Sequence, residues 1–100
     1  MIRRLDLEPA ALAAFCSRHH VARLSLFGSV LHGEDRPSSD VDLLVEFEAG
    51  QVPGFFALAT MEAELSGLLG GRKVDLRTAS DLSRHFRDAV VAEAEVQFAR

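Results

Sequence analysis

The stretch LSLFGSVLHGEDRPSSDVDLLVEFE, residues 24–48, decides the fold. Its second half, Asp40 to Glu48, carries the strongest strand pattern in the chain. Val41, Leu43, Val45 and Phe47 fall on one face; Asp40, Asp42, Leu44 and Glu46 fall on the other. Just upstream, residues 22–27 (ARLSLF) alternate Leu24 and Leu26 against Arg23 and Ser25, which predicts a short strand running straight into Gly28-Ser29. Residues 30–34 predict a helical turn or two, and residues 35–39 (DRPSS) a turn-rich loop around Pro37.

Working outward, residues 9–19 predict a first helix. Pro9 suits an early helical position, and Leu12, Phe15, Cys16 and His19 recur at helical spacing. Beyond the loop at 50–54, residues 55–69 predict an amphipathic helix through Leu58, Met61, Leu65, Leu68 and Leu69, closed by Gly70-Gly71. Residues 72–78 (RKVDLRT) predict another strand. Ser80 then caps a C-terminal helix marked by Phe86, Val90, Ala94 and Phe98. The class is α/β (α+β), with a small mixed sheet of about three strands flanked by helices. The strand–helix–strand unit from 40 to 78 is a crossover, so its two strands are expected to run parallel.

One hundred residues suit one domain, spanning 1–100, with one hydrophobic core. Apolar residues make up 48% of the chain, which excludes a disordered protein. No apolar run approaches the roughly 20 residues of a membrane helix, and the N-terminal MIRRLD offers no export signal. A cytoplasmic location follows as the expectation. Cys16, the sole cysteine, sits in an apolar helical pattern and reads as a core thiol. The net charge of −4 and the scattered basic residues disfavour an extended nucleic-acid surface, but leave room for a small anion held with metal ions.

Three features carry chemistry. Gly28 permits a sharp turn and a close phosphate approach, and the amides after it, with the Ser29 hydroxyl, form an anion site. Taken alone, such a turn is far more often a purely structural one. Asp40 and Asp42 share a strand face about 7 Å apart, so both can grip a hard divalent cation. The alternative is that Asp40 caps a turn and Asp42 faces solvent. Asp75, between Val74 and Leu76, reaches the same metals if its strand neighbours theirs. Otherwise it is an edge aspartate facing water.

The combination Gly28-Ser29-x₃-Gly33-x₅-Ser39-Asp40-x-Asp42 followed by Leu-Leu-Val resembles the DNA-polymerase-beta-like nucleotidyltransferase superfamily. The length and the Lys73-Val74-Asp75-Leu76 segment resemble the minimal nucleotidyltransferases (MNT proteins) within it. The resemblance implies a nucleotidyltransferase fold in which Gly28, Ser29 and Ser39 bind the nucleotide. Asp40 and Asp42 hold two Mg²⁺ ions, and Asp75 serves as the third carboxylate and orients the acceptor hydroxyl. It further implies an antitoxin that transfers AMP from ATP to a tyrosine of a HEPN-type toxin. The family often has an arginine before the second glycine, where this chain has His32, which brings less positive charge to a triphosphate.

Other chemistries fit poorly. Phe27 and Leu31 stand where a hydrolase G-x-S-x-G elbow around Ser29 needs glycines. His19 and His20 diverge by about 100° on a helix, and no further Cys or His completes a zinc site with them. They read as surface residues. With no room for an acceptor-binding domain in 100 residues, the acceptor is expected on another chain, or to be very small. A partner-binding antitoxin without catalysis is the competing reading.

Overall fold

A computed structural model describes residues 7–28, 40–79 and 87–99. In chain order they form α1 (Pro9–Arg18), β1 (Val21–Phe27), β2 (Val41–Phe47), α2 (Phe55–Leu68), β3 (Val74–Arg77), α3 (Arg87–Glu93) and β4 (Glu95–Ala99). The four strands make one sheet in the order β3-β2-β1-β4. β1 is antiparallel to both β2 and β4, while β2 and β3 run parallel, as the crossover requires.

The core forms where the alternating strands meet two helices. Leu24 and Leu26 of β1, Val41, Leu43 and Val45 of β2, and Val74 and Leu76 of β3 are buried with Phe15 and Cys16 of α1 and Met61 and Leu65 of α2. Proline at the start of α1 presets a helical φ, and the helix buries Leu12, Phe15 and Cys16. It stops at His19, and His20, at φ +58°, turns the chain into β1. Along α2 and its C-cap Leu69, Leu58, Met61, Leu65 and Leu69 face inward as their spacing predicts, but Leu68 lies on the exposed side. Among the described residues no helix is long and apolar enough to cross a membrane.

The C-terminal prediction requires correction. In place of one helix reaching Phe98, a short α3 ends with the Ala94 N–H donating to the Val90 carbonyl, and β4 follows. Among the described residues the sheet therefore has four strands rather than about three. Val90, Ala94 and Phe98 fit a helical period, but in β4 a register shift sets Phe98 opposite Leu24 and the exposed Val96 opposite Ser25, a strand without simple alternation. Context decides: β1 would otherwise present an open edge of backbone donors and acceptors, and β4 pairs with it. Phe98, opposite Leu24, packs against the core. The predicted helical turn at 30–34, the loop at 35–39 and the Ser80 cap lie outside the described residues.

Candidate active site

The parallel pairing of β2 with β3 aligns Asp42 with Asp75 at one register, beside Val41–Val74 and Leu43–Leu76. Neighbouring strands run about 4.8 Å apart, so the two carboxylates project side by side from the face opposite the core. Asp40 precedes β2 by one residue, at the mouth of the strand. On its other flank Asp42 pairs with Phe27, the last residue of β1, so the chain turns at Gly28 directly against it.

Gly28 is required there for two separate reasons. Its φ of +80° lies in the left-handed region that a side chain disfavours. A Cβ at this position would also overlap Oδ2 of Asp42. The Asp42 carboxylate thus lies against bare backbone at the end of β1. Ser29 and Ser39, together with His32 and Gly33, lie outside the described residues.

Electrostatics single out Asp42. Partial burial is the first cause that pushes its carboxyl above the usual range; the negative charges of Asp75 and then Asp40 add to it, and Arg77 opposes. The outer carboxylates have cations of their own. Arg77 donates to Asp75 Oδ2 at 3.2 Å, and Lys73 Nζ stands 3.7 Å from Asp40 Oδ2. The donor set is entirely hard carboxylate oxygen, with two negative neighbours acting on the central group. That chemistry suits Mg²⁺. Among the described residues, no three His, Cys, Asp or Glu side chains already stand close enough to ligate one ion. Convergence needs Asp40 and Asp75 to turn from their cations, and such solvent-exposed pairs are worth only about 0–1 kcal/mol each.

Sequence reasoning missed what lies behind Asp75. A groove of about 380 Å³ opens between α2 and β3, lined by Phe55, Leu58, Ala59, Glu62, Asp75, Leu76 and Arg77. At its floor the Leu76 N–H, on the edge strand, donates to Glu62 Oε2 at 2.7 Å. The signal was the pair Phe55-Phe56 at the head of α2, outside the inward stripe. The histidines are not a metal site among the described residues. His19 packs on Phe15 and meets Glu64 at 3.0 Å, within a cluster that Arg18 completes with two bonds to the same carboxylate. His20 lies 3.5 Å from Glu48. His19 is half-buried, so only His20 is the surface residue the sequence suggested.

A mixed sheet that aligns aspartates across a parallel strand pair, beside a glycine turn, is the framework of a nucleotidyltransferase. Residues 10–97 match the family model described as nucleotidyltransferase domain, and the chain belongs to that family. It is similar to the protein adenylyltransferase MntA of Thermococcus cleftensis, 38% identical over 76 residues, which cover 76% of this chain and 74% of that protein. A candidate protein adenylyltransferase of Methanocaldococcus jannaschii is 35% identical over 77 residues, 77% of this chain and 80% of the relative. Among solved structures, a candidate minimal nucleotidyltransferase superposes with a TM-score of 0.69 at 40% identity, covering 86% of this chain and 85% of that one. A toxin–antitoxin assembly with AMP-PNP gives a TM-score of 0.74 over 94% of this chain and 75% of that one; at 20% identity this likeness concerns the fold alone.

Proposed function

We propose that this chain, as a single nucleotidyltransferase domain over residues 1–100, transfers AMP from ATP to a tyrosine of a HEPN-type toxin and thereby acts as its antitoxin. The observation that carries the reading is the alignment of Asp42 with Asp75, with Gly28 pressed against the central carboxylate. Similarity to protein adenylyltransferases supports a protein as the acceptor. Gly28, Ser29 and Ser39 hold the triphosphate. Asp40, Asp42 and Asp75 hold two Mg²⁺ ions, which when bound neutralise phosphate charge and polarise the reacting phosphoryl group. Asp75 also orients the acceptor hydroxyl.

In the transfer, the tyrosine oxygen forms a bond to the α-phosphorus of ATP. The bond from that phosphorus to the oxygen bridging to the β-phosphorus breaks, and pyrophosphate leaves with the electron pair. The hydroxyl proton passes by way of Asp75 to solvent. Location in the cytoplasm, with its ATP and Mg²⁺, belongs to the same reading, as does the absence of an extended nucleic-acid partner.

The test combines the protein, the purified product of the neighbouring gene, ATP and Mg²⁺, with mass spectrometry of the partner. A gain of one or more AMP units on tyrosine is expected. Asp75→Asn should keep ATP binding but lose at least about 100-fold in transfer rate, because charge stabilisation and positioning carry most of this chemistry. A partner that is silenced while remaining unmodified would refute the proposal in favour of neutralisation by binding alone.

A further inference from the structure

Phe55 and Phe56 open α2 with 79% and 85% of their surface exposed, packed edge to face with centroids 5.8 Å apart. Large aromatics so exposed gain little from burial within the chain itself, and side by side they mark an interaction surface. Phe55 is also a wall of the groove that reaches Asp75, so the aromatic surface and the site are continuous.

The sheet order gives this continuity a direction. Gly28 follows the end of β1 on one side of Asp42, and β3 with the groove lies on the other. An in-line transfer keeps nucleophile and leaving group on opposite sides of the reacting phosphorus. With the phosphates at Gly28, the attacking hydroxyl enters from the β3 side. We infer that the groove between α2 and β3 docks the acceptor protein, seating one of its apolar or aromatic side chains against Phe55, Leu58 and Leu76 while its hydroxyl meets Asp75. The choice of occupant rests on the AMP-transfer reading above; the groove and its exposed aromatics do not. A volume of about 380 Å³ is within the range of sites that enclose a bound group.

Ala59 is exposed on the groove wall, so Ala59→Arg fills the groove without disturbing the core. The paired change Phe55→Ala/Phe56→Ala removes the aromatic surface, and Val91→Ala on α3 is the remote control. In titrations against the purified neighbouring-gene product, Ala59→Arg and the paired change are expected to weaken binding by roughly tenfold or more. Melting temperature should match wild type in both, ATP–Mg²⁺ binding should match it in the paired change, and Val91→Ala should match it throughout. Partner binding unaltered by Ala59→Arg overturns the inference. So does a dimer that Ala59→Arg splits while partner binding persists, since the occupant is then a second copy of this chain. A wild-type chain that does not bind the product removes the occupant and overturns it too. If wild type binds but transfers no AMP, and Ala59→Arg abolishes binding, the docking surface stands and the AMP-transfer reading falls.

Discussion

Gly28→Ala tests the site at its tightest point. At φ +80° an alanine costs roughly 1–2 kcal/mol in backbone strain. Its methyl group also overlaps Oδ2 of Asp42, the far end of a short side chain, which can swing away at about 0.5–1.5 kcal/mol off its rotamer. The total is about 2.5 kcal/mol, a fall in Tm of roughly 10–20 °C for a domain of this size. Gly50 separates the two effects, because its φ of +76° is similar but a Cβ there meets nothing within 4 Å. Gly50→Ala should therefore lose only the backbone part, roughly 6–12 °C. In an Asp42→Ala background the carboxylate is gone and only the contact with the Cβ of residue 42 at 3.2 Å remains, so Gly28→Ala should fall towards the Gly50→Ala cost, a coupling of up to about 1 kcal/mol. Thermal unfolding by circular dichroism of the four Gly28/Asp42 combinations and of Gly50→Ala measures this, and calorimetry follows ATP–Mg²⁺ binding. Gly28→Ala should lose that binding while Gly50→Ala keeps it. Equal costs for the two alanines, with nucleotide binding intact in both, would refute the placement of Asp42 against Gly28.

Asp42→Asn should raise the melting temperature of the metal-free protein at neutral pH. A carboxyl raised in the fold is disfavoured when ionised, so the gain should be absent below the usual carboxylate range, grow as pH rises through the raised pKa of Asp42 and be complete above it. A pH series of melting curves reads this, and a gain that grew on acidification would reverse the argument. In calorimetry, wild-type ATP affinity should collapse in EDTA, and Asp42→Asn should weaken it with Mg²⁺ present. Glu62→Ala leaves the edge-strand Leu76 N–H without its acceptor and should cost about 1 kcal/mol, or roughly 4–8 °C, whereas Glu62→Gln keeps an oxygen there and should cost less.

The local elements of the site's frame are legible in the sequence because their signals are local. Alternation in DVDLLVEFE gives β2 and its inward face, helical spacing gives α1 and most of α2, and the crossover rule gives the parallel β2–β3 pair. The spacing of Gly28, Asp40, Asp42 and Asp75 likewise points to the nucleotidyltransferase family that residues 10–97 match. The sequence alone could not give the register that sets Asp75 beside Asp42 rather than a residue away, because register is set between strands. Nor could it choose between helix and strand at Phe98, which fits the helical period of Val90 and Ala94 yet pairs opposite Leu24 at the open edge of β1. The groove behind Asp75 is likewise tertiary: α2 and β3 build it, and only their packing leaves Phe55 exposed at its rim while Met61 and Leu65 of the same helix enter the core.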